Sequence, residues 1–174
     1  MSKLLIDVQH VTKRFPVGDH EVEVLKDITF QVYEGEFVAI VGQSGSGKST
    51  LLNMLTGVDR PTGGEVIVNG QSLAALSEDG LAHWRRREIG IVFQFFNLVP
   101  GLTVAQNVQL PMELAGMYTP QERPLRVATL LDEVGLAQRA GWLPSRVSGG
   151  DQQRAAIARA NANDPPLIFG DEPT

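Results

Sequence analysis

Gly42-Gln43-Ser44-Gly45-Ser46-Gly47-Lys48-Ser49 is the stretch on which the fold of this 174-residue chain turns. It follows Phe37-Val38-Ala39-Ile40-Val41, a short unbroken apolar run of the kind expected for a strand buried on both faces. It precedes Leu51, Leu52 and Leu55, which predict a helix stopping near Gly57. A buried strand, a glycine-rich loop and a helix, in that order, make a phosphate cradle. The glycines let successive backbone N–H groups turn inward as an anion nest, with no side chains in the way. The helix starting near Lys48 aims its positive dipole end at the same place. Lys48 can reach the β- and γ-phosphates of a nucleotide, and the Ser49 hydroxyl can coordinate Mg²⁺. The binding set from this loop is Gly42, Gln43, Ser44, Gly45, Ser46, Gly47, Lys48, Ser49 and Thr50.

On the N-terminal side the pattern is strand-like. Leu4-Leu5-Ile6-Asp7-Val8 opens it, and Val22, Val24, Ile28, Phe30 and Val32 nearly alternate with polar residues. Phe15-Pro16-Val17-Gly18-Asp19 reads as a turn-rich loop between them, so a half-exposed antiparallel sheet is expected. On the C-terminal side Glu65-Val66-Ile67-Val68 predicts a strand ended by an Asn69-Gly70 turn, and Ile89-Gly90-Ile91-Val92-Phe93 a buried strand. Strand signals then fade from about Asn97 to Pro144. Thr119-Pro120-Gln121-Glu122 resembles a capped helix start, although Pro124 argues for a later onset. Val127, Leu130, Leu131, Val134 and Leu136 give a helical stripe, and a further helix follows Ser148-Gly149-Gly150 to about Ala162. Leu167-Ile168-Phe169-Gly170-Asp171 predicts a last buried strand. Asp171 at its end can hold Mg²⁺ through water, and Glu172 can orient or deprotonate an attacking water.

Composition narrows the function classes. The chain is 43% hydrophobic and 20% charged, enough for one core and unlike a disordered chain. A net charge of −5 argues against wholesale electrostatic binding to nucleic acid. The absence of cysteine removes disulfides, thiolate metal sites and cysteine nucleophiles. Leu4-Leu5-Ile6 is interrupted at once by Asp7, which is no signal peptide. The other apolar runs are strand-length, short of the roughly 20 residues that a membrane helix needs.

A P-loop alone does not separate kinases, GTPases and ATPases. Val147-Ser148-Gly149-Gly150-Asp151-Gln152-Gln153-Arg154 resembles the signature motif of ABC ATPases. The likeness continues through Ile157-Ala158-Arg159-Ala160, Asp164-Pro165 and Gly170-Asp171-Glu172-Pro173-Thr174, with Gln94 where that family has its Q-loop. It extends from Leu4 to Thr174 and is identified as the ATP-binding subunit of an ABC transporter. The implied fold is α/β: a P-loop NTPase core with a parallel sheet, an N-terminal antiparallel β-subdomain and a helical signature subdomain, incomplete at the C-terminus. The implied division is 1–36 for the β-subdomain, 37–94 for the P-loop core, 95–162 for the helical subdomain and 163–174 for the Walker B strand and chain end.

The resemblance also implies roles. Phe15 matches the aromatic that stacks on adenine; the alternative is an aromatic packing on the core. Lys48, Gln94 and Glu172 form the catalytic set, and Ser49, Gln94 and Asp171 the Mg²⁺ set. Ser148, Gly149 and Gly150 would contact ATP held by a second subunit, which implies a homodimer with a composite site. Phe95, Phe96, Leu98 and Val99 lie in a segment similar to the surface that receives a membrane permease; the alternative is that they anchor the helical subdomain. Implied location is the cytoplasmic face of the inner (plasma) membrane, with ATP and Mg²⁺ as cofactors and no nucleic acid.

The stretches Gln94–Pro100 and Leu102–Val108 look most like the lipoprotein-releasing and macrolide-export group. A cell-division regulatory ATPase, or a DNA-repair or translation ATPase, is the alternative. Three departures stand out. Val147 and Asp151 replace the usual Leu and Gln or Glu, and Asn161 stands where Leu is usual, which predicts weaker packing. The family continues to a D-loop and a switch histidine, whereas His10, His20 and His83 all precede the last strand. The expectation is a fragment or a truncated gene that hydrolyses ATP poorly by itself.

Overall fold

The computed structural model describes residues 2–171, and the chain divides after Leu81 into two compact units. In the first, β1 (Leu4–Val17) and β2 (His20–Tyr33) form a long antiparallel hairpin. β3 (Gly63–Val68) and β4 (Gln71–Ser72) complete a four-stranded sheet of order β2-β1-β3-β4. The Asn69-Gly70 turn is as expected: both residues have positive φ, 50° and 79°, the geometry that favours Asn-Gly between two strands.

β1 runs further than the sequence predicts, through Phe15-Pro16-Val17, leaving only Gly18-Asp19 as the turn. Proline is tolerated here because β1 pairs with β3 only as far as Thr12. Beyond that point β2 is its one partner, and a strand edge can spare an N–H. Leu5, Ile6, Val8 and Val11 of β1, Leu25 and Val32 of β2, and Val66 and Val68 of β3 are all buried, with irregular register rather than strict alternation along β1. The helix α1 (Lys48–Leu55) packs on β2 and β3 and buries Leu51, Met54 and Leu55.

Phe37–Val41 departs from expectation. The segment carries no strand, and Phe37 and Val41 are 97% and 90% exposed. A strand apolar on both faces is stabilised only by neighbouring strands and covering layers. Glu36, whose carboxylate accepts from the Tyr33 N–H at 2.8 Å, turns the chain out of the unit's antiparallel sheet, and no described strand of that unit pairs with Phe37–Val41.

α2 (Glu78–Glu88) carries Glu78 and Asp79 in its first turn and Arg85 to Arg87 in its last, the charge order its dipole favours. In the second unit β5 (Ile89–Val92) and β6 (Leu167–Gly170) pair in parallel, Ile89 opposite Leu167 and Val92 opposite Gly170. β5 is buried as predicted. β6 is not: only Phe169 is buried and Ile168 is half exposed, whereas β5 is covered by the helix over Gly149–Ala160.

Three helices pack together: α3 (Val104–Ala115), α4 (Glu122–Glu133) and α5 (Gly149–Ala160). Val104, Val108, Met112, Leu131 and Leu136 make their shared core, completed by Ala155 and Ala158. Thr119 and Glu122 bond reciprocally at the start of α4, so Pro124 falls near its beginning, where a missing N–H costs little. α5 meets β5 at Gly90, where a Cβ would lie 2.3 Å from the Ala160 carbonyl oxygen. Asn161, whose place in the motif predicts weaker packing, stands at the helix end. It caps α5, its amide donating to the Ile157 carbonyl at 3.0 Å while its own carbonyl accepts from Arg126.

Candidate nucleotide-binding site

The residues of the glycine loop, Gly42 to Thr50, come together at the start of α1. Gly47 is the N-cap in a left-handed conformation (φ 92°), and no side chain caps the helix. A Cβ on Gly47 would also stand 3.1 Å from Leu25 and 3.2 Å from Val24, so glycine is required by space as well as by backbone. Lys48 folds back over the loop, its ammonium donating to the carbonyls of Gly42 and Gln43 at 3.0 Å each. The Ser46 N–H closes the turn on the Gln43 carbonyl at 3.2 Å. Residues 41–46 and Ser49 are exposed. An uncapped helix start, a glycine loop and an ammonium form a donor set that suits an oligophosphate, and Ser49 adds an oxygen suited to Mg²⁺.

Phe15 stands on β1, 37% exposed. The Lys13 ammonium lies 5.0 Å from its ring centroid. Lys13 is itself held by Asp59 at 2.8 Å and by the Arg60 carbonyl at 2.7 Å. Partial burial works against the Asp59 charge. The hydrogen bond from Lys13, the Arg60 N–H and the Lys13 charge outweigh it and hold the carboxyl below its usual range.

In the second unit Gln94 sits in the exposed turn just after β5, and Asp171 directly follows β6, its N–H donating to the Val92 carbonyl at 3.0 Å. Parallel pairing therefore brings Gln94 and Asp171 to one end of the strand pair. Glu172, the expected water activator, lies outside the described residues, as do Pro173 and Thr174. Phe96 and Leu98 pack on Val92, Ala156 and Ala160, whereas Phe95 is 80% exposed. Anchoring and exposure thus fall to different residues of one segment.

Sequence reading missed the contact that holds this segment. Phe96 and Asn97 both take positive φ, 59° and 47°, and the guanidinium of Arg159 on α5 binds their two carbonyls at 2.6 Å each. A residue more than sixty positions away leaves no local signal of that contact. Beside it a groove of about 450 Å³ is lined by Ile89, Phe93, Leu114, Arg86 and Asn163 among others.

At α5 Ser148 is the N-cap, its hydroxyl accepting from the Asp151 N–H at 3.2 Å while the Asp151 carboxylate accepts from the Ser148 N–H at 3.4 Å. The Asp151 side chain is 4% exposed and pairs with both Arg139 and Arg154. Burial alone would raise its pKa. The Ser148 hydrogen bonds and the two guanidinium charges reverse this and keep it ionised below the usual carboxylate range. Gly149 and Gly150 have ordinary φ, and added Cβ atoms would meet nothing within 4 Å at Gly149 and only the Arg154 tip at Gly150.

The sequence pattern of the family described as ABC transporter matches residues 25–174. The chain belongs to the ABC transporter family. It is 48% identical over 172 residues to an uncharacterized ABC transporter ATP-binding protein of Thermotoga maritima, spanning 99% of this chain and 73% of that protein. It is 49% identical over 170 residues to the macrolide export ATP-binding/permease protein MacB of Marinobacter nauticus, spanning 98% of this chain and 26% of that protein. Among solved structures it resembles the ATP-binding cassette MJ0796 in a dimeric post-hydrolysis state bound to ADP and Pi. The TM-score there is 0.90 at 43% identity, covering 98% of this chain and 75% of that one. The fold is thus that of an ABC ATPase, a family that implies ATP binding and hydrolysis. Among the described residues no helix is long and apolar enough to cross a membrane.

Proposed function

We propose that this chain is the ATP-binding subunit of a transporter, coupling ATP binding and hydrolysis to movement of a lipoprotein, peptide or macrolide by a separate integral membrane permease. The observation that carries the ATP-driven part is the pair Gly149-Gly150. Among the described residues nothing crowds a side chain there, and glycine within a helix costs roughly 0.5–1 kcal/mol relative to alanine. Small residues at an uncrowded helix start leave room for an outside group to approach the backbone N–H groups. The phosphates of ATP held on the loop of a second copy have the right charge. The MJ0796 cassette, solved as a dimer with ADP and Pi, supports the same homodimeric arrangement.

Within each subunit Phe15 stacks on adenine, and the Gly42–Thr50 loop holds the phosphates with Lys48 on the β- and γ-groups. Ser49, Gln94 and Asp171 would hold Mg²⁺, which when bound would offset the charge of the transferring phosphoryl. Glu172 takes the proton of the attacking water. Gln94 carries the state of the site to Phe95 and the nearby groove, where the permease docks on the cytoplasmic face of the membrane. The permease and export reading is supported by the similarity to MacB, whose name joins an ATP-binding part to a permease.

The test is light scattering of the 174-residue chain with a non-hydrolysable ATP analogue. The wild type is expected to dimerise with nucleotide. Gly150→Leu is expected to bind the analogue as a monomer without dimerising. A Gly150→Leu chain that dimerises as readily as wild type overturns the composite site. Co-purified permease in proteoliposomes, with ATP-dependent substrate movement, tests the transport part.

A further inference from the structure

We propose that Lys13 is a positioning residue for base recognition: fixed over one face of the Phe15 ring, it orients that ring and strengthens its stacking on the other face. The proposal rests on the reading of Phe15 as the adenine platform. An aromatic ring is electron-rich on its faces, so a cation on one side draws density away and improves the opposite side as a partner for an electron-rich purine. The Lys13 ammonium is 5.0 Å from the Phe15 centroid, and its side chain is only 12% exposed.

The lysine is immobilised before any ligand arrives. Its ammonium donates to the Asp59 carboxylate at 2.8 Å and to the Arg60 carbonyl at 2.7 Å. Arg60 is anchored in turn, donating to the Leu76 carbonyl at 2.6 Å and to Glu78 at 3.0 Å. Phe15 needs such a partner, because it lies on the part of β1 that pairs with β2 alone, opposite a half-exposed Val22. A ring left free there would lose rotamer entropy on binding the base, and prior fixation removes that cost. Asp59 and Arg60 follow the phosphate-loop helix closely in sequence, so Lys13 also ties the base platform to the phosphate-binding element.

The experiment is calorimetric titration of the 174-residue chain with Mg–ATP and with Mg–tripolyphosphate, which lacks the base. Lys13→Met is expected to weaken Mg–ATP about three- to tenfold, the size of a partly desolvated cation–π contact, and to leave tripolyphosphate within about twofold. Lys13→Arg, which keeps a cation, is expected to retain most of the Mg–ATP affinity. Phe15→Ala should lower Mg–ATP affinity selectively. Equal losses for both ligands in Lys13→Met would make Lys13 a structural tie and overturn the proposal. Unchanged Mg–ATP affinity in Lys13→Met beside a weakened Phe15→Ala also overturns it while sparing the platform reading. No selective loss in Phe15→Ala overturns the platform itself. Should Lys13→Met not fold, Asp59→Asn carries the test by releasing the ammonium. A smaller ATP-selective loss supports the proposal, and an unchanged ratio of the two affinities refutes it.

Discussion

Two helix starts in this chain are both suited to anions, and they are built in opposite ways. At α1 the cap is Gly47, left-handed, enclosed by Val24 and Leu25, and without a side chain on the helix end. At α5 the cap is Ser148, locked reciprocally with Asp151, and the two glycines after it face open space. At α1 the fold itself demands glycine and leaves the helix end to a ligand. At α5 the cap takes the Asp151 N–H and fixes the start, and among the described residues nothing crowds the two glycines. The first is a loop held open by its own neighbours; the second is a capped start with open space beside its glycines.

The largest expected effect breaks the first start and spares the second. Lys48→Ala should weaken Mg–ATP analogue binding by about ten- to a hundredfold, the worth of lost charge-assisted contacts. Thermal unfolding should stay near wild type, because the carbonyls that take the ammonium belong to exposed loop residues. Unchanged affinity in a folded mutant would count against the loop as the phosphate site.

Asp151 gives the next test, at the second start. Its folded pKa lies below its unfolded value of about 3.9, so its contribution to stability is complete above that pH and lost as pH falls through the lowered folded pKa. Asp151→Asn should melt lower than wild type at pH 7, and the gap should close in the acid range. A gap independent of pH from 7 to about 2 would mean that the paired carboxylate contributes nothing through its charge.

Ser148→Ala removes only the cap and should cost about 1 kcal/mol in urea unfolding. The smallest effect has the opposite sign. Gly150→Ala should stabilise the chain by about 0.5–1 kcal/mol, since helix propensity improves and the new methyl meets only the Arg154 tip. The same substitution should weaken nucleotide-driven dimerisation. Loss of stability instead would show that the glycine serves the chain's own fold, and the contrast between the two helix starts would fail.

Much of this was legible in the sequence, for reasons that differ from place to place. The Gly42–Ser49 loop, the Asn69-Gly70 turn and the Ser148 start are local: a few neighbouring residues determine the backbone by sterics and short hydrogen bonds. Phe37–Val41 failed because an apolar run carries no record of the strands it would need beside it. In the sequence Asp151 is only a substitute for the usual Gln or Glu. Only packing shows it buried between two arginines, one of them from the turn at Ala137–Arg139.

By itself the sequence determined the glycine loop that ends in Lys48, the ABC signature at Ser148, and the strands Glu65–Val68, Ile89–Val92 and Leu167–Gly170. Each of these rests on residues adjacent in the chain, where spacing alone sets the geometry. Tertiary structure alone decided that Arg159 pins the segment after Gln94, that Asn161 caps rather than packs, and that Lys13 stands over Phe15. Contacts between distant residues depend on where the folded backbone brings them, and residue type at either end does not say.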